Sequence, residues 1–349
     1  MDKLCHYRLL TNAMVIHYPY IGDGDVRYAY ALGRIRAMET RLLASQKIAR
    51  LLDSTSADEL LKALQDTDYS PYLPKTPTLY EGIIREARKD LFHLMDELVL
   101  DPPLIELLKV KYDYHNAKTL LKGGIGEKDV KDLILDFGNI PKREIMGIFQ
   151  EERYDKLPFL LEEGIEEAIS SYYTSKDPRM IDISLDKACY KFLAQQTANP
   201  FLNTCTKIEI DLINLKILLR IRKYEQEKAL FSKSIIPWGY IKERELLELF
   251  DEPLDGLSRS FEVTPYYNIV DEGIDYLRSK DSFLKFEKLC DDNFISFIRI
   301  TKYMAFGVEP ILSYFYAKEN EFKILRMIFV GKLNNIPDNL IKERRPNAY

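Results

Sequence analysis

Apolar positions along this chain recur at three- and four-residue intervals, and runs of strict alternation are hard to find. Leu60, Leu61 and Leu64, then Ile145, Met146 and Phe149, then Leu246, Leu247 and Phe250 each fall on one face of a helix. Start and stop signals punctuate these segments. Ser56-Ala57-Asp58-Glu59 is a capping box: a short hydroxyl side chain with an acid three residues on, so each end can satisfy the other's backbone N–H. Asp101-Pro102-Pro103 stops one helix and opens another, and Ile140-Pro141 sets a proline where a first turn begins. Asn199-Pro200 breaks the chain ahead of a long helix predicted from about Cys205 to Glu227. Ile236-Pro237-Trp238-Gly239 reads as a turn before a helix over Lys242–Phe250, with Trp238 anchoring that loop onto a helix end. The pattern predicts an all-α fold.

Two helical segments carry one polar pattern. Lys111–Lys122 reads KYDYHNAKTLLK and Glu209–Arg220 reads EIDLINLKILLR, both of the form Asp-x-x-Asn-x-Lys-x-Leu-Leu-basic. A second pattern occurs three times, opening at Glu59-Leu60-Leu61, Glu144-Ile145-Met146 and Glu245-Leu246-Leu247. The intervals, roughly 85–100 residues, exceed those of short solenoid repeats. A degenerate third copy of the long-helix pattern is split between the ends: Glu321–Arg326 keeps Lys-x-Leu, and Ile35–Leu43 keeps the leucine pair. These repeats predict three small helical bundles around a pseudo-threefold axis. Their expected spans are 1–109 completed by 311–349, then 110–206, then 207–310.

On the repeated helix, Asp113, Asn116 and Leu120 share a face, with Lys118 and Lys122 roughly opposite. Asp211, Asn214 and Leu218 stand in the same way against Lys216 and Arg220. Asp and Asn are poor residues for a helix interior because they compete for backbone hydrogen bonds. Placing both there twice implies a partner for them, either a polar clamp within the chain or contacts to another unit or protein.

Composition narrows the function classes. The formal net charge is −5, which argues against nonspecific nucleic-acid binding. No apolar run approaches the roughly 18–20 residues of a membrane span, so a soluble chain is expected, linked to any membrane through another protein. Four cysteines, Cys5, Cys189, Cys205 and Cys290, form no C-x-x-C pair and suit a reducing compartment. His6, His17, His93 and His115 are scattered, and no second pair completes a metal site with Cys5-His6.

Catalytic signatures are missing where enzymes need them. Gly123-Gly124-x-Gly126 lacks a preceding strand and a Gly-Lys-Ser/Thr ending, and reads as a helix stop. Gly22-Asp23-Gly24-Asp25 lacks the rest of a calcium ligand ladder and reads as a turn before a helix starting near Val26. Asp291-Asp292 offers half of the Asp cluster that a helical Mg²⁺/diphosphate-dependent synthase would need, but Ile295 stands where the next carboxylate is required. No catalytic residue, cofactor or metal is expected. The basic end, Lys342-Glu343-Arg344-Arg345, reads as a frayed solvated tail or as a contact for acidic partners.

Several stretches, in order and over most of the chain, resemble the C subunit of archaeal and bacterial V/A-type rotary ATPases, the counterpart of the d subunit of eukaryotic V-ATPases. They are YAYALGRIRAMETRLL (Tyr28–Leu43), LLKALQDTDYSPYL (Leu60–Leu73), LLKVKYDYHNAKTLLKG (Leu107–Gly123), the run Asn199–Tyr224, and SIIPWGYI (Ser234–Ile241). The resemblance implies an all-helical funnel of three units with a central socket. It implies a noncatalytic rotor component of the central stalk, on the cytoplasmic face of the membrane. The socket would receive the foot of the central shaft, and the funnel would sit on the membrane proteolipid ring that carries H⁺ or Na⁺. A helical scaffold with another partner, and less so the helical synthase, are the readings it competes with.

Overall fold

The computed structural model describes residues 14–22 and 24–349. The fold is all-helical. Among the described residues there is no strand, only an isolated bridge between Val15 and Val263. The chain divides into two compact units. One joins the residues up to Leu100 with Glu252–Tyr349, and the other is the continuous stretch Asp101–Asp251.

The first unit, here the terminal unit, begins with a 3₁₀ turn at Val26–Tyr28, capped by the Asp25 carboxylate on the Arg27 N–H. It continues with α1 (Ala29–Glu39), α2 (Ser45–Leu52), α3 (Ala57–Ala63) and α4 (Tyr80–Leu98). Half of the predicted capping box forms at α3: Ser56 accepts from the Glu59 N–H at 3.2 Å, but the Glu59 carboxylate reaches one residue further back and accepts from the Thr55 N–H at 2.6 Å and from the Thr55 hydroxyl at 2.8 Å. Those Thr55 donors, its backbone N–H first, hold the Glu59 carboxyl below its ordinary pKa.

In chain order, the middle unit separates the two halves of the terminal unit. Its helices are α5 (Pro102–Ile125), α6 (Lys142–Gln150), α7 (Phe159–Ser175), α8 (Arg179–Gln196), α9 (Pro200–Tyr224), α10 (Lys228–Ser234) and α11 (Glu243–Asp251). The long helix α9 starts at Pro200, five residues earlier than expected, because the Asn199 side chain caps it on the Leu202 N–H at 3.0 Å and Pro200 suits the first turn. α5 ends at Ile125, inside the Gly-rich stretch expected to stop it. α7 and α8 form a hairpin, turning at Lys176 with φ 57°. They approach closely because Gly164 has no side chain: a Cβ there would lie 2.6 Å from the Ala188 Cβ. Ile165, Ala168, Ile181 and Leu185 fill the seam and are fully or almost fully buried.

The chain then returns to the terminal unit with α12 (Leu254–Ser260), α13 (Tyr267–Lys280), α14 (Leu284–Ile298), α15 (Glu309–Leu333) and α16 (Asp338–Arg344). α15 is apolar around most of its circumference and is buried accordingly, with Ile311, Leu312, Phe322, Leu325 and Ile328 at or near zero exposure. Tyr80 of α4 stacks on its Phe329 at 5.1 Å between centroids, and Phe92 meets Phe315 at 5.4 Å.

The basic end is docked, which corrects the expectation of a frayed solvated tail. Arg344 pairs with Glu287 and Asp291 of α14, each at 2.8 Å, and the Asn347 N–H donates to Asp292 at 2.6 Å. Tyr349 lies under the Lys302 ammonium, 4.2 Å from its ring centroid. The acidic groups this end meets belong to its own unit, and the Asp291-Asp292 pair is engaged in holding it.

Replacing Gly164 with Val should force α7 and α8 apart. The expected cost is about 1–3 kcal/mol, read as a lower urea midpoint with little change in helical circular dichroism.

Candidate functional site

The duplicated polar pattern makes the same construction twice in the middle unit. In the first copy, Asp113 and Asn116 of α5 are buried. The Asn116 amide grips one loop residue from both sides: its Nδ2 donates to the Leu135 carbonyl at 2.8 Å and its Oδ1 accepts from the Leu135 N–H at 2.9 Å. One turn earlier, the Asp113 carboxylate accepts from the Asn139 and Ile140 N–H groups, both at 3.0 Å, and from the Asn139 amide at 3.2 Å. Burial pushes the Asp113 carboxyl above its ordinary pKa, against the pull of these donors. In the second copy, Asn214 of α9 grips Ile236 at 2.8 and 2.9 Å, and Asp211 accepts from the Tyr240 and Ile241 N–H groups at 3.1 and 3.0 Å. α5 thus holds the loop that leads into α6, and α9 holds the loop between α10 and α11.

A glycine completes each clamp. A Cβ on Gly138 would lie 2.0 Å from Asp113 Oδ1, and one on Gly239 would lie 2.1 Å from Asp211 Oδ1. Only a bare backbone lets the carboxylate reach the two N–H groups that follow. The sequence carries this signal as Gly138-Asn139-Ile140 and Gly239-Tyr240-Ile241, a shared Gly-x-Ile that helical periodicity does not bring out.

The terminal unit holds a chemically altered version on α15. Matching Lys323 to Lys118 and Lys216 sets Glu321 where Asn116 and Asn214 stand, and Lys318 where Asp113 and Asp211 stand. Glu321 is buried, and its carboxylate accepts from the Leu43 N–H, from the Tyr69 hydroxyl at 2.7 Å and from the Lys318 ammonium at 2.6 Å. Leu43 is the end of the weak match noted at Ile35–Leu43. A Glu–Lys–Tyr cluster therefore grips a loop N–H where the other copies use Asn.

The basic positions of the pattern look away from the clamps. Lys118 pairs with Asp186 of α8 at 2.7 Å, and Lys122 with Asp182 one turn earlier at 2.6 Å. Lys323 pairs with Asp291 of α14 at 2.6 Å. Lys216 is half-buried on α9, and Arg220 is exposed. Two residues before the clamp Asp in each copy, Lys111 and Glu209 meet each other at 2.6 Å, tying α5 to α9. Burial alone would push the Lys111 ammonium down, but the Glu209 carboxylate more than offsets it and leaves the pKa raised.

A family model described as ATP synthase (C/AC39) subunit matches residues 31–344. The chain belongs to this family. The C subunit of the A-type ATP synthase of Methanocaldococcus jannaschii is 25% identical to it over 347 residues, covering 90% of this chain and 85% of that protein. The C subunit of the V-type sodium ATPase of Enterococcus hirae is 25% identical over 320 residues, covering 90% and 97%. The C subunit of the A-type ATP synthase of Thermococcus onnurineus is 24% identical over 349 residues, with 92% of each covered. The resemblance carried by the five sequence stretches holds: the family is that of the V/A-type ATPase C subunits.

Three residues of interest in the sequence, Cys5, His6 and Asp23, lie outside the described residues. Among the described residues, no three His, Cys, Asp or Glu side chains gather as metal ligands would, and no helix is long and apolar enough to cross a membrane. Cys189 and Cys205 are buried, and burial pushes both thiols above their ordinary pKa. Trp238, expected to anchor a loop, stands half-exposed at φ 77° inside the second clamp. That left-handed conformation costs a bulky residue about 1–2 kcal/mol, so the hydrogen bonds on either side must hold it there.

Asn214→Leu would leave the buried Ile236 N–H and carbonyl without their partner, and Gly239→Ala would push a methyl into the Asp211 carboxylate. Each should lower stability by about 2 kcal/mol or more, measured by thermal unfolding. Lys118→Glu, at a partly solvated ion pair, should cost only about 0.5–1 kcal/mol, and adding Asp186→Lys should restore it.

Proposed function

We propose that this chain is a noncatalytic rotor element of the central stalk of a V/A-type ATPase. It couples the rotating shaft to the membrane proteolipid ring, either for ATP-driven H⁺ or Na⁺ transport or for ATP synthesis in reverse. The observation that carries this reading is the family match across residues 31–344, supported by relatives named as C subunits of A-type synthases and of a V-type sodium ATPase. In this reading the chain is peripheral, sits at the cytoplasmic face and meets the membrane through the ring.

The three-unit ring with a central socket, spanning 1–109 with 311–349, 110–206 and 207–310, is part of the proposal. The recurrence of a loop-gripping side chain at Asn116, Asn214 and Glu321 supports it. A torque coupler must resist twisting, and clamps that fix each loop to a long helix stiffen the elements between which torque would pass.

The test is gentle solubilisation of membranes from cells carrying a tagged chain, followed by identification of co-purifying proteins. Shaft proteins and proteolipids should be recovered together. In complexes reassembled without the chain, ATP hydrolysis by the head should persist while ion transport is lost. Recovery of the chain without either partner, from an extract in which the complex is intact, would replace this reading with that of a scaffold serving another assembly.

A further inference from the structure

The two clamped loops share their glycine and final isoleucine and differ elsewhere, most tellingly at the residue just before the glycine. The residue before the clamp glycine is Phe137 in the first copy and Trp238 in the second. Phe137 is 7% exposed and packs against Tyr112 at 5.6 Å between centroids. Trp238 is 38% exposed, adopts φ 77°, and is the only tryptophan in the chain. Strain of that kind persists only where surrounding bonds over-determine it, and here the Asn214–Ile236 and Asp211–Ile241 hydrogen bonds bracket it. The loop holds the indole out rather than tucking it in as its counterpart does.

The indole borders a cavity of about 410 Å³ whose other walls are α7 and α8. Glu163, Glu166 and Glu167 line it from α7, and Lys187 and Lys191 from α8. Lys191 is already paired with Glu163 at 2.7 Å, which leaves two carboxylates against one ammonium. Burial holds the Lys187 ammonium below its ordinary pKa, against the opposing pull of Glu243 and Glu167. Glu162 and Glu166, and likewise Glu163 and Glu167, are like charges one helical turn apart, an arrangement that an incoming cation relieves. An anionic ligand such as a nucleotide would meet net negative charge. A planar cation fits both features at once, since a guanidinium stacks on an indole and pairs with carboxylates through its edge.

We propose that this cavity is the seat of an arginine carried by a segment of the shaft, its guanidinium laid on Trp238 and paired with Glu166 and Glu167. The proposal rests on the rotor-coupler reading in taking the shaft as the occupant. Tryptophan and arginine are the residues that most often dominate interface energies, and an anchor fixed before binding loses little freedom on association.

The sole tryptophan makes the test direct. The full chain would be titrated with the purified shaft proteins of the same complex, their own tryptophans replaced by phenylalanine, while the Trp238 emission is followed. Binding should bring a saturable change in emission. Glu166→Lys with Glu167→Lys should weaken binding at least tenfold. So should Trp238→Gly, which removes the anchor while suiting the left-handed backbone; its binding would be followed by calorimetry. Circular dichroism and melting temperature should confirm that both variants fold. If the shaft binds with unchanged emission, and the charge reversal leaves affinity within twofold, the cavity is not the seat and the coupler reading stands. If the shaft does not bind the folded chain at all, both fall.

Discussion

A buried side-chain amide that bonds to both polar groups of one loop residue is the contact on which the rest of this architecture rests. Loops between packed helices bring backbone N–H and carbonyl groups into places water does not reach, and each such group left unmet costs about 1–3 kcal/mol. Asn116 and Asn214 meet both groups of Leu135 and Ile236, and the aspartates a turn earlier meet two more N–H groups in each loop. The unfavourable placement of Asp and Asn inside a helix is thereby explained: what they lose as helix formers they return by fixing the chain that enters the next helix. The bare glycine at each loop is the steric condition for that bond, since any side chain would displace the carboxylate.

The altered copy on α15 shows which part of the device is constrained. The grip on the loop N–H survives as Glu321 on Leu43, but the partner at the preceding turn has changed from an acid to Lys318. A buried carboxylate needs a counter-charge where a neutral amide does not. Lys318 supplies it, the Tyr69 hydroxyl adds a hydrogen bond, and the lysine also lies over the Tyr69 ring at 4.4 Å. One substitution, amide to acid, thus brings a second with it, which is why this copy reads so faintly in the sequence.

What the sequence made legible was local. The apolar spacing marked the helices, and the Ser56–Glu59 box and the proline signals marked where several begin. The duplicated Asp-x-x-Asn signals a need for partners, since polar groups inside a helix must be satisfied. Which partners was not legible: Leu135 and Ile236 lie 19 and 22 residues downstream, and nothing in helical periodicity encodes that reach. The docking of the basic end escaped for the same reason. Arg344 reads as a solvated charge until Glu287 and Asp291, more than fifty residues earlier, are brought beside it. The sequence suggests Trp238 as a loop anchor, but its left-handed backbone follows from bonds made by α9, a helix that ends well before it.

The split construction of the terminal unit has a consequence for synthesis. The middle unit is one unbroken stretch of chain, so every residue it needs has left the ribosome once Asp251 has emerged. The terminal unit cannot close then, because α15, the helix that α1, α3 and α4 pack around, is made only with residues 309–333. Until that point the apolar faces of the first four helices wait without their core. The order of synthesis therefore leaves the apolar faces of α1, α3 and α4 without their packing partner for longest, whereas the middle unit waits on no later segment of chain.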